Sequence, residues 1–182
     1  MSLKWLPNAL TVSRCGLAVL VGWLILSEPR TSILPLIAFV LVALTDFLDG
    51  WAARRFDAVS ALGAFLDPVA DKLLVGTSLV ALCHVEGWAI GLLIPSLAII
   101  VRDMIATGLR LFPQIEMPVS QLAKWKTALE MTGIGALLMA DPSSFALVWS
   151  AGLILVWVAA ALSIYTLGLY LGAMISDAKR PR

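Results

Sequence analysis

Six apolar runs, parted only by short polar or proline-bearing breaks, fill the 182-residue sequence. They extend from Ala9 to Leu26, Ile33 to Ala53, Leu62 to Cys83, Trp88 to Leu109, Leu122 to Met139 and Phe145 to Leu171. Each is close to or above the about 20 residues an α-helix needs to cross a bilayer. Inside lipid the backbone must satisfy its own polar groups, which a helix does within one segment. The expected fold is therefore all-α: a polytopic membrane protein of six transmembrane helices, one domain over residues 1–182. The connections Ser27 to Ser32, Arg54 to Ala61, His84 to Gly87, Arg110 to Gln121 and Ala140 to Ser144 are short enough to force antiparallel order.

Composition agrees. Only 14% of residues are charged and 60% are hydrophobic, with mean hydropathy +0.95, against roughly 25% charged in soluble domains. A nucleic-acid binder, an acidic disordered chain and a disulfide-stapled secreted scaffold are excluded. Cys15 and Cys83 lie in apolar runs without CxxC or Cys/His spacing, so they read as packing residues. Pro7-Asn8 interrupts the first segment and no small-residue cleavage site follows, which argues against a signal peptide. Met1 to Pro7, carrying Lys4 and Trp5, is expected to lie along the membrane interface ahead of the first span.

Basic residues set the orientation, because cytoplasmic loops collect Lys and Arg. Twelve of the thirteen fall at one end of the alternating spans, and Arg30 alone falls at the other. Both termini are thus expected in the cytoplasm.

Five of the twelve acidic residues crowd between Asp46 and Asp71. Four are inside expected helix, where a carboxylate near the bilayer centre costs roughly 2.5–3.5 kcal/mol. Asp46 and Asp49 are three apart near the end of span two, and Asp67 and Asp71 are four apart in span three, so each pair shares a helix face. A short turn between antiparallel helices brings the pairs together. Two divalent cations would balance the four charges, and an all-oxygen donor set favours hard ions, Mg2+ or Mn2+, over zinc. Paired metals suit displacement at phosphorus, stabilising attacking and leaving oxygens. Gly50 and Gly63 remove side chains where a ligand must approach closely.

In full, the segment reads Asp46, x2, Asp49-Gly50, x2, Ala53-Arg54, x8, Gly63, x3, Asp67, x3, Asp71. It resembles the D-x2-D-G-x2-A-R-x8-G-x3-D-x3-D motif of the CDP-alcohol phosphotransferases at every fixed position. The resemblance implies that Asp46, Asp49 and Asp67 hold two divalent metals over a diphosphate, and that Asp71 ligates a metal or deprotonates the incoming hydroxyl. It implies a pocket for CDP-diacylglycerol lined by Asp46, Asp49, Gly50, Ala53, Arg54, Gly63 and Asp67, with Ser60 in reach. Asn8, Thr11 and Arg14, in the early stretch PNALTVSR, are candidates for the nucleotide end. Helix capping is the alternative for Ser60 and Thr11.

Beyond the motif, TDFLDGWAARR, LGAFLDPVADKLLV, VRDMIATGLR and KWKT are most similar to the branch of that family that makes phosphatidylglycerophosphate. The branch typically carries an Arg-Glu pair where this chain has Arg102-Asp103, and often glutamine at Glu130. Arg102 and Arg110 share a face of span four, and Lys124 and Lys126 open span five. Arg102, Arg110 and Lys126 are expected to bind an acceptor phosphate, with Lys124 at the site's interfacial edge. Asp103 is placed to orient an arginine, and Glu130 to pair with Lys126 one turn away. The implied reaction transfers the phosphatidyl group of CDP-diacylglycerol to sn-glycerol 3-phosphate, releasing CMP, in a homodimeric enzyme of the cell inner membrane with its site facing the cytoplasm. The alternatives are a cardiolipin synthase using phosphatidylglycerol, an inositol-phosphate-accepting synthase and, outside the family, a cation transporter.

Overall fold

The computed structural model describes the backbone of residues 6–56, 61–110, 121–141, 143 and 145–178, and the side chains of residues 13–45, 72–109, 122, 125–141, 143 and 145–172. Among the described residues all regular structure is helical: α1 (Leu6–Ser27), α2 (Leu34–Phe56), α3 (Ala61–Val85), α4 (Ile90–Arg110), α5 (Gln121–Met139) and α6 (Ala146–Ala178). Each expected span corresponds to one helix, and the differences lie at the ends.

Helix α1 begins at Leu6, so Leu6 and Pro7 belong to its first turn rather than to a separate interfacial segment. Proline is tolerated there because the N–H it lacks has no intrahelical acceptor. Met1 to Trp5 lie outside the described residues. Helix α4 begins two residues later than Trp88. Gly87 and Trp88 both have positive φ, 61° and 60°, the N–H of Trp88 bonds to the Cys83 carbonyl at 2.7 Å, and that of Gly87 to the His84 carbonyl at 3.0 Å. This crossed pair is the glycine-terminated stop of α3. Helix α6 continues to Ala178, past the expected end at Leu171, because no proline intervenes before Pro181.

Among the described residues two helices, over Ile90–Leu109 and Ala146–Gly172, are long and apolar enough to cross a membrane. The apolar stretches Ser13–Ser27, Leu34–Thr45 and Lys72–Val85 within the described parts of α1, α2 and α3 are shorter. Large apolar side chains such as Leu41, Val101, Met104, Leu147, Ile154 and Ile164 point outward. So much exposed apolar surface on a chain this small suits a lipid surround, and the protein is a membrane protein.

Helix α3 packs against α1, α4 and α5, while α6 packs against α4 and α5. Two contacts are close because the side chains are small. At α1–α3, a methyl added to Gly22 would lie 3.2 Å from Thr77 Cβ, and the Thr77 hydroxyl donates to the Ala18 carbonyl at 3.0 Å. At α5–α6, a methyl on Gly133 would lie 2.9 Å from Val156 Cγ2, and one on Gly152 3.1 Å from the Gly133 carbonyl oxygen. Small residues let backbones approach where no hydrophobic force draws helices together in lipid. The core between the helices is built from residues such as Leu79, Leu82, Ile99, Ile134, Leu137 and Val156.

Arg30, the one basic residue apart from the others, closes the opposite end of the bundle. Its guanidinium donates to the carbonyls of Leu137 (3.3 Å) and Ala140 (3.1 Å), pairs with Glu86 at 3.0 Å and sits over the Trp149 ring. It thereby joins the α1–α2 and α3–α4 turns to the end of α5, where a cation also meets the negative pole of the helix. Hydrogen bonds to a charged group are worth about 1.5–3 kcal/mol. Arg30→Met is therefore expected to lower the thermal unfolding midpoint in detergent and leave the KM of either substrate unchanged; an unshifted midpoint would remove this tie.

Candidate active site

The motif residues gather at one end by topology. Asp46, Asp49, Gly50, Ala53 and Arg54 lie on the second half of α2, and Gly63, Asp67 and Asp71 on the first half of α3. Asn8, Thr11 and Arg14 lie on the first turns of α1, Arg110 is the last residue of α4, and Lys124 and Lys126 are on the first turns of α5. Helices α1, α2 and α3 pack on one another. Ser60 lies outside the described residues, as do the side chains of Asn8, Thr11, Asp46, Asp49, Gly50, Ala53, Arg54, Gly63, Asp67, Asp71, Arg110 and Lys124. Arg14 is described, and it is buried.

One turn deeper the side chains are defined, and they form an ionic cluster inside the bundle. Asp103, 3% exposed, is its centre. Its Oδ2 accepts from Lys72 Nζ at 2.6 Å, and its Oδ1 accepts from Lys126 Nζ at 2.7 Å and from the Arg102 guanidinium at 2.9 Å. Lys126 also pairs with Glu130 at 3.0 Å, and both are 1% exposed. Arg102 is held from α6, donating to the Ser163 carbonyl at 3.3 Å and the Thr166 hydroxyl at 3.0 Å, with the Tyr170 ring beneath it. The Ser163 hydroxyl donates to Glu130 Oε1 at 3.3 Å. Four helices thus supply one network.

Four of these residues were singled out from the sequence, and their mutual pairing is what the structure shows. Arg102 and Lys126 come together although 24 positions part them in the chain, Asp103 orients Arg102, and Glu130 pairs with Lys126. Lys72 was not expected in the group, because its position in span three also serves orientation. The available signal was its place inside an apolar run, where a cation needs a partner.

A groove of about 890 Å³ opens between α1, α3 and α4. Its walls are apolar, with Val19, Leu73, Val80 and Ile100 among them, and Lys72, Asp103 and Thr107 form its polar end. The ionic cluster therefore borders the groove through Lys72 and Asp103, and the Lys72 side chain is 28% exposed.

The sequence matches the model of a known family over residues 4–165, that of CDP-alcohol phosphatidyltransferases. The chain belongs to this family. A CDP-diacylglycerol--glycerol-3-phosphate 3-phosphatidyltransferase of Rickettsia bellii is 37% identical over 88% of this chain and 90% of its own length. The enzyme of the same name from Rickettsia typhi is 36% identical, covering 90% of this chain and 93% of its own. A cardiolipin synthase (CMP-forming) of Oryza sativa is 35% identical over 91% of this chain and 56% of the plant protein. As a family member, the chain carries the aspartate motif complete, and the four carboxylates offer a donor set that fits hard divalent cations.

Proposed function

We propose that this phosphatidyltransferase moves the phosphatidyl group of CDP-diacylglycerol onto sn-glycerol 3-phosphate, giving phosphatidylglycerophosphate and CMP. One observation carries the reading. The complete diphosphate motif of α2 and α3 stands at the same end of the bundle as Arg102, Lys126 and Arg110, the cations that suit a phosphorylated acceptor. The names of the Rickettsia relatives support the same choice of acceptor.

Asp46, Asp49, Asp67 and Asp71 would hold two divalent cations, Mg2+ or Mn2+. Bound there, such ions supply Lewis-acid stabilisation of charge on the diphosphate. Gly50, Ala53, Arg54, Ser60 and Gly63, together with Asn8, Thr11 and Arg14, bind and orient the cytidine diphosphate end of the donor. Arg102, Arg110 and Lys126 hold the acceptor phosphate, with Lys124 at the edge. Asp71 takes the proton of the acceptor hydroxyl as that oxygen attacks the β-phosphorus and CMP leaves. An amphiphilic donor fits such a protein, since its acyl chains stay in lipid while its head enters a polar cavity. In this reading all six helices span the cell inner membrane as one domain over residues 1–182, both termini and the site face the cytoplasm, and two copies form a homodimer.

The deciding assay measures CMP release from CDP-diacylglycerol by the purified protein with Mg2+ or Mn2+ and a panel of acceptors. Glycerol 3-phosphate is expected to support release, a chelator to stop it and added cation to restore it. Release with phosphatidylglycerol alone would make the protein a cardiolipin synthase, and release with inositol phosphate alone would likewise overturn the choice of acceptor.

A further inference from the structure

We propose that Asp103 is a positioning residue which gathers Lys72, Arg102 and Lys126 around one centre for the acceptor phosphate, and that Lys72 is the cation through which that phosphate enters. The proposal rests on the reading of a phosphorylated acceptor given above.

The charges come first. Three cations meet two carboxylates, Asp103 and Glu130, which leaves a formal excess of one positive charge among the described residues of the cluster. Ionisable groups held inside a membrane protein mark substrate pathways more often than they stabilise a fold, and a buried ion pair is weak evidence for stability. An anion completing the cluster would meet donors that are already collected.

Geometry adds the division of labour. Helices α3, α4 and α5 each contribute one cation, and one carboxylate touches all three at 2.6–2.9 Å. Without that carboxylate the three positive groups would repel one another, because like charges in a low-dielectric interior interact strongly. Asp103 therefore fixes their spacing before any substrate arrives, and the binding site is preorganised. Arg102 is further locked by Ser163 and Thr166, and Lys126 by Glu130. Lys72 differs. Among the described residues its partner is Asp103 Oδ2, one of the three acceptors an ammonium can serve, and it lines the groove together with Thr107. Arg110 follows Thr107 by three positions on α4 and so lies on the same side of that helix. Lys72 also directly follows Asp71 on α3.

The test compares Lys72→Met, Asp103→Asn and Asp103→Glu with the unaltered protein, measuring CMP release while each substrate is varied separately. Lys72→Met is expected to raise the KM for glycerol 3-phosphate about tenfold, the loss of one charge-assisted contact, with the KM for CDP-diacylglycerol within about twofold of the starting value. Asp103→Asn should raise the acceptor KM at least as much, and Asp103→Glu should recover most of the loss. A purely structural Asp103 would instead lower the unfolding midpoint and kcat with both KM values unmoved. That result, an equal rise in both KM values, or a glutamate variant no better than the asparagine one would overturn the proposal. Lys72 is partly exposed, so its variant keeps the question open to measurement even if Asp103→Asn does not fold. If the unaltered protein releases CMP only with an unphosphorylated acceptor, the reading of the reaction fails and this proposal is decided by inorganic phosphate alone. Calorimetric binding must then weaken about tenfold in Lys72→Met, and unchanged binding refutes it.

Discussion

Replacing Asp71 by asparagine is expected to reduce CMP release at least about a hundredfold, the usual contribution of a positioned general base, while Mn2+ still binds. Asparagine keeps the shape and one oxygen of the carboxylate but cannot accept the proton of the attacking hydroxyl. In the proposed mechanism Asp46, Asp49 and Asp67 would still hold the metals, so the loss should fall on the chemical step. Single-turnover CMP release separates that step from substrate binding and product departure, and Mn2+ binding followed by electron paramagnetic resonance reports the metals independently. Retained turnover would remove Asp71 as the base. Lost turnover together with lost Mn2+ would make it a ligand only.

Lys126→Met is expected to destabilise the protein by about 3–5 kcal/mol, the cost of breaking a buried pair by removing one partner. Lys126 is 1% exposed, and its ammonium joins Glu130 at 3.0 Å to Asp103 at 2.7 Å. Among the described residues its removal leaves Glu130 with the Ser163 hydroxyl at 3.3 Å, whereas Asp103 keeps Lys72 and Arg102. The cost therefore comes from Glu130. Converting that residue as well, in Lys126→Met with Glu130→Met, should restore most of the stability, because two apolar side chains of similar volume can replace a buried pair at little cost. It should not restore acceptor binding. Unfolding midpoints in detergent for the single and double variants check the first statement, and the KM for glycerol 3-phosphate checks the second. A double variant as unstable as the single one would show that Lys126 stabilises through contacts other than Glu130.

The helices were legible because lipid imposes one rule on every residue of a span, and an apolar run of the right length can meet it in one way. Helix ends were less legible where the stop depends on backbone conformation. Trp88 is apolar, yet its positive φ excludes it from α4. The motif aspartates could be read from spacing alone, since residues three and four apart share a helix face whatever the helix packs against. Arg30 shows the limit of such reasoning. In sequence it is an exception to the charge bias, and its acceptors on Leu137 and Ala140 are 107 and 110 positions away, beyond any local pattern.

The sequence by itself determined a helical membrane chain and a complete aspartate motif shared by two neighbouring helices, because hydropathy and helix periodicity are local properties. Only the tertiary structure decided that Lys72, Arg102 and Lys126 share a single carboxylate, with Lys72 as the member that can be reached. Those residues come from three helices, and in a buried cluster the contacts depend on how the helices cross, which no local pattern along one helix fixes.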